Sequence, residues 1–390
     1  MPFSRGTIYG LTCFREPCRR ERVMQRLALR KHLRLMTSDL GRGTSWLVLA
    51  LFVTVAFSSC TIVKKQSKAP TLLKTEDASE ADLMKEVNRF ASVTSLRAKM
   101  DLKFEDNSFA QFGSKEEYRT ADGEVVVQRP ANILLKVQVP VIKTDVAQMT
   151  SDGTTFRVAV LTCGGGSKCK KFIKGTNTAD YSKLEKSLDE SDIGNGTALK
   201  NVSSFVNLRP QHFTEALLVR PIDPAKVYVV STIFQVEEDD TQAKKSPLHE
   251  VMRGYYLLDE FTKQTDGSLQ IARRFWFDRV GGIRLARQQL FDAKAEIESD
   301  IVYGKQGNLS DTGNYNNLPL RIQVTRPKEK YTMSLTYQTP ELVTVGKNYP
   351  AAAFVLQNTW GLDEVDLDQK LQQATAGRTD APNTNTAAHP

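Results

Sequence analysis

The chain has 390 residues and a formal net charge of +8. Residues 1–35 hold nine Lys and Arg against Glu16 and Glu21, a net of +7, and Asp39 cancels Arg42, which leaves +1 for everything after residue 59. A surface that close to neutrality offers no electrostatic footprint for DNA or RNA, so nucleic acid is excluded as a partner. The length alone would suit two or three domains, but once a leader and a tail are set aside roughly 280 residues remain, enough for one large domain with a substantial core.

The leader is residues 1–59. Its organising stretch is Trp46 to Phe57, twelve almost unbroken apolar residues, followed by Ser58, Ser59 and Cys60. A helix needs roughly 20 apolar residues to cross a bilayer, so this run is short for a span and suits the core of a secretory signal. A cysteine directly after the small residues makes the segment resemble a bacterial lipoprotein signal, although Phe57 stands where that family usually has Leu. The resemblance implies lipid attachment at Cys60, removal of the leader, and a membrane-held chain in the cell envelope. An ordinary secretory signal or a short anchor is the alternative. Met36 begins a leader of ordinary proportions and is a candidate true start.

Residues 60–80 are polar and read as a flexible tether. Ser79 and Asp82 resemble a capping box, and Leu83, Val87, Phe90 and Ala91 recur at helical spacing, which predicts an amphipathic helix from about 80 to 92. From Leu96 the apolar period changes to two, through Ala98, Met100, Leu102 and Phe104. It returns at Ile133–Val139, Phe156–Val160, Leu320–Val324 and Tyr331–Tyr337. Asp122-Gly123, Asp152-Gly153, Asp266-Gly267 and Gly281-Gly282 are expected as tight hairpin turns. Helical signals follow Gly194–Gly196 and start again at Pro210, with Phe213, Ala216 and Leu217 on one face and Pro221 and Pro224 as terminators. The class is therefore α+β, an incomplete antiparallel β-barrel of about ten or eleven strands with helices covering its apolar concave face. The domain is expected at residues 81–362. Gly304–Asn317 reads as mobile, and 363–390 as a disordered tail.

Chemistry is scarce. Cys163 and Cys169, in LTCGGGSKCKK, are an even pair that reads as a disulfide in an oxidising compartment, with free thiols as the alternative. The segment lacks further metal ligands. His212, near a helix start, reads as a surface or cap residue. No nucleophile elbow, phosphate loop or dinucleotide fingerprint occurs, so neither enzymatic activity, a cofactor nor a metal is expected. Arg273, Arg274, Trp276, Asp278 and Arg279 fit an alternating strand.

Element order and short motifs resemble the LolA and LolB family of lipoprotein localisation factors. The matching segments are strand Ile133–Val139 before Pro140, Ser151-Asp152-Gly153 with Phe156 next, Arg209-Pro210 through Leu218 closed by Pro221, and Leu318-Pro319 before a strand. The resemblance implies a half-closed barrel whose apolar cavity binds acyl chains of lipoproteins or phospholipid. It also implies a periplasmic carrier protein as a partner, and outer-membrane placement facing the periplasm. It would make Leu96, Met100, Leu135, Val137, Met149, Phe156, Val158, Phe213, Leu217, Met333 and Leu335 the cavity lining, with plain core packing as the alternative. Val141 and Ile142 would form a membrane-insertion loop, or else be ordinary strand residues; the family's glycine is missing there. An envelope sensor or interaction module on the same fold is the competing function.

Overall fold

The computed structural model describes residues 69–106, 116–117, 121–139, 144–162, 170–179, 181, 184, 209–239 and 241–376. The chain runs β1 (Thr71–Leu72), α1 (Glu80–Ala91), β2 (Ser95–Asp106), β3 (Glu116–Glu117), β4 (Ala121–Gln128), β5 (Asn132–Gln138), β6 (Asp145–Asp152), β7 (Thr155–Val160) and β8 (Lys171–Thr176). Helix α2 (Pro210–Leu217) follows, then β9 (Val227–Glu238), β10 (Glu250–Lys263), β11 (Leu269–Asp278), β12 (Arg284–Phe291) and β13 (Ile297–Leu309). The last elements are β14 (Tyr315–Arg326), β15 (Tyr331–Tyr337), β16 (Thr344–Val345), β17 (Asp363–Asp366) and α3 (Leu367–Ala376).

All seventeen strands among the described residues belong to one sheet. Two antiparallel meanders, β4 to β8 and β9 to β15, are joined by β2, which pairs with β4 on one side and with β15 and β16 on the other. Ile322 lies opposite Leu335 and Val324 opposite Met333, so the alternating apolar residues of both strands share the inner face. The sheet does not close. Among the described residues β9 pairs only with β10, and β17 only with β8. The count exceeds ten or eleven partly because β1, β3, β16 and β17 are two to four residues long, too short to show a period.

The expected capping box is present. Ser79 N–H donates to Asp82 Oδ2 at 3.0 Å, and Asp82 N–H to Ser79 Oγ at 3.3 Å. The bonds from Ser79 hold the Asp82 carboxyl below its ordinary range. Leu83, Val87 and Phe90 form the buried stripe of α1. In α2, Pro210 occupies the first turn, where its missing N–H costs nothing. This helix touches β4, β5 and β6 from one meander and β14 from the other, so it lies across the concave face.

Several sequence expectations change. Gly153, Gly267, Gly281 and Gly282 have positive φ, as turns require. Asp122-Gly123, however, lies inside β4, with Gly123 opposite Met100 and Val137. A Cβ there would sit 2.6 Å from Leu102 Cδ1, so this glycine makes room for a side chain from β2. Gly123→Val is expected to cost about 2 kcal/mol by overpacking, checked by urea denaturation. An unchanged midpoint would disprove the close approach.

Gly304–Asn317 is not a loop: it holds the end of β13, a tight turn and the start of β14. Thr71 and Leu72, expected in the tether, pair in parallel with Val251 and Met252. The chain also keeps regular structure beyond 362, since β17 runs parallel to β8 and Leu367 of α3 is buried. Gly194–Leu208, Cys60, Cys163, Cys169, Val141 and Ile142 lie outside the described residues. No described helix is long and apolar enough to cross a membrane.

Candidate functional site

The eleven residues expected to line a cavity are brought together, all within or against one apolar cluster on the inner face. Two of them, Leu96 and Leu217, border a cavity of about 20 Å³; the other nine are not in its lining and belong to the packed core. The rest of that lining includes Phe90 and Val93 from the end of α1, Ala216 of α2, Val219 just after it, and Tyr303 and Leu309 of β13. Phe90 and Ala216 could be read from helical spacing. Tyr303 and Leu309 could not, because the neighbouring polar run masks the strand.

Space for roughly one water is all that such a volume supplies. An acyl chain can therefore occupy the concave face only where α1 and α2 withdraw from it. Five large apolar side chains on these helices (Leu83, Val87, Phe90, Phe213 and Leu217) are buried. At ~2 kcal/mol each their exposure would cost roughly 10 kcal/mol. Burying about 14 methylenes returns roughly 11 kcal/mol. The two amounts are close before the hydrogen bonds that fasten the helices are counted.

Two arginines hold the helices down. Arg129, in the turn between β4 and β5, donates from Nε to the Val93 carbonyl (3.1 Å). Its Nη2 donates to Ala91 O (3.1 Å) and Val219 O (2.6 Å). From the other meander, Arg273 of β11 donates to Arg220 O at 3.0 Å and Pro221 O at 3.1 Å. Three consecutive carbonyls after α2 are thus captured from opposite halves of the sheet. Arg273 also forms a buried bidentate pair with Glu260. Ile222 N–H donates to Asn88 Oδ1 at 3.0 Å, which ties this strap to α1. Neither arginine announces such a role in sequence. Arg273 reads as an alternating strand residue, and Arg129 as an ordinary turn cation.

His212 is not on the surface. It is 1% exposed, and its Nδ1 hydrogen-bonds the Tyr331 hydroxyl of β15. Burial, with Arg326 and Arg209 nearby, keeps the imidazole neutral by moving its pKa well below the ordinary value. Next along α2, Glu215 Oε2 stands 3.8 Å from Arg326, which also meets Glu329 and Glu298. Burial raises the Glu215 carboxyl from 4.5 to about 7, against the pull of Arg326. The folded state then binds this proton more tightly than the unfolded chain does. Stability from this group is complete below about 4.5, falls between there and about 7, and is level above. The side chain as a whole is about one-third exposed, so the loss is about 2 kcal/mol rather than the full linkage value. Glu215→Gln should remove that slope and leave the protein more stable at pH 8 than the parent. Melting curves at pH 5 and pH 8 test it; parallel curves for the two proteins would refute it.

No family model matches the chain, and no curated protein matches it. Among solved structures it is similar to a LolA superfamily protein from Nitrosomonas europaea, at 10% identity and a TM-score of 0.37, over 72% of this chain and 99% of that one. It is also similar to a DUF1329 family protein from Desulfovibrio piger, at 12% identity and a TM-score of 0.34, over 70% and 95%. A proposed outer membrane lipoprotein-sorting domain from Vibrio parahaemolyticus is similar at 10% identity and a TM-score of 0.33, over 70% and 94%. The described residues contain no cluster of potential metal ligands.

Proposed function

We propose that this protein binds acyl chains, of phospholipid or of lipid-modified proteins, on the concave face beneath α1 and α2. The observation that carries the reading is the half-open sheet itself. Its inner face carries one large apolar cluster, it is covered by two short amphipathic helices, and its edges are not joined among the described residues. Binding needs no catalysis, since an apolar face uncovered by withdrawal of the helices would shield from water a chain that water rejects. Attachment through lipidated Cys60 at an outer membrane, with delivery of lipoproteins handed over by a periplasmic carrier, is the finer form of the proposal. Val141 and Ile142 would then meet the bilayer. Mass spectrometry after native extraction should find co-purified phospholipid or acylated peptide, and a fluorescent fatty acid should be displaced by it. An empty protein that also ignores the probe would refute the reading. Cys60→Ser should move the protein from the membrane to the soluble fraction.

A second reading, an interaction or sensor module, is favoured by β9. Its outer edge has no partner among the described residues, and Val229, Phe234 and Val236 are about half exposed. An extended segment of another protein could add a strand there. Capture of one envelope protein, unchanged by delipidation and abolished by a proline in β9, would decide for it.

A further inference from the structure

Beside the apolar cavity lies a second, polar space of about 240 Å³. It is bordered by Glu86, Arg89 and Ser92 of α1 and its cap, by Arg284 of β12, and by Asn314, Asn316 and Asn317 around the start of β14. At about 30 Å³ per water it has room for roughly eight waters, the size of a small polar head group rather than of a chain. The two spaces share a wall. Leu318 borders both, and on α1 the consecutive residues Arg89 and Phe90 face the polar space and the apolar cavity respectively. An amphiphile with its tail beneath the helices would therefore bring its head to this place.

The chemistry of the walls is that of a donor set. Arg284 gives one Nη to Asp278 and the Val280 carbonyl, while its Nε is buried without a hydrogen-bond partner among the described residues. An unspent guanidinium donor at a buried position costs free energy until an acceptor arrives. The Asn316 and Asn317 carbonyls accept from Arg89, while the side-chain amides of both residues make no hydrogen bond to the described residues. The one carboxylate, Glu86, is spent, since both its oxygens accept from Arg89, at 2.7 and 2.8 Å. Both guanidiniums are already paired, Arg89 with Glu86 and Arg284 with Asp278, so what remains to be satisfied is Arg284 Nε and the two asparagine amides, and these donors ask for an acceptor.

We propose that this pocket binds the anionic, phosphate-bearing head group of the amphiphile whose acyl part is buried beneath α1 and α2. The proposal rests on the acyl-binding reading, and the experiment separates the two. Calorimetry on the full mature protein compares dihexanoylphosphatidylglycerol, dihexanoylphosphatidylcholine and glycerol phosphate. The anionic lipid should bind about tenfold more tightly than the zwitterionic one of equal chain length, and glycerol phosphate much more weakly than either. Arg284→Gln should abolish the difference between the lipids. Asn316→Asp should do the same without removing any hydrogen bond present, so a folding defect in the first variant does not decide the matter. Equal affinities for both lipids, or variants that keep the preference, overturn the head-group pocket and leave acyl binding standing. Glycerol phosphate binding as tightly as the anionic lipid makes this a site for soluble phosphate and overturns it too. No binding of either lipid defeats both readings together.

Discussion

Replacing Arg129 by methionine is expected to cost about 3 kcal/mol and to loosen α1 and the strap after α2 together. The substitution keeps the apolar stem of the side chain and removes the guanidinium, with its bonds to the carbonyls of Ala91, Val93 and Val219. Bonds to a charged donor contribute about 1.5–3 kcal/mol each, and partial rehydration of the freed carbonyls keeps the sum well below three times that. The carbonyl of Ala91 ends α1, so a cation there also answers the negative end of the helix. Lysine at 129 should recover a minor part, because its single ammonium cannot reach three acceptors in a fork. Hydrogen exchange is the sharper measurement: amides of α1 should exchange faster in the methionine variant, with β13 and β14 unchanged. If α1 keeps its protection, the arginine is not what fastens it. Faster uptake of a fluorescent acyl probe should accompany the change.

A larger loss, about 3–5 kcal/mol, is expected for Arg273→Met, which strands Glu260 in the core with no partner of opposite charge. Glu260 is 4% exposed, and of its hydrogen-bonding neighbours only the Tyr228 hydroxyl, at 2.9 Å, would remain. Burial, and then contact with Glu260, push that phenol up to about 12. Replacing both charged residues, Arg273→Met with Glu260→Met, should restore most of the stability, since two apolar groups of similar volume demand nothing of each other. It should not restore the grip on Arg220 O and Pro221 O. Chemical denaturation of the three variants gives the comparison, and a double variant no more stable than the single one would refute the argument.

Local chemistry was readable where it was self-contained. Ser79 and Asp82 satisfy each other within one turn, and Gly153, Gly267 and Gly281 sit where only positive φ closes the hairpin. Asp122-Gly123 carries the same letters for a different reason, the bulk of Leu102 on the neighbouring strand, and no dipeptide reports what lies across a sheet. Period-two alternation told which face of β5, β7, β14 and β15 is inside. It could not tell where packing leaves a gap, because that depends on how α2 meets β13 and β14. His212, Arg129 and Arg273 were hidden by the same limit. Each is polar, His212 and Arg273 are buried and Arg129 is half-buried, and in each case a partner from a distant part of the chain takes up its hydrogen bonds. The polar run from Gly304 to Asn317 looked mobile because pairing through the backbone leaves no trace in side-chain hydropathy.

Among the described strands β2 is the only long seam between the meanders, and Met100 on it lies opposite Tyr337. The first half of the sheet can assemble as it emerges, but one border of β2 stays bare until the chain has delivered nearly everything else. Ring closure over such a separation is slow, because the intervening entropy is lost before the contact gives anything back. While that border is open the bowl is incomplete, so its inner face can retain an occupant only after β15 has docked on β2.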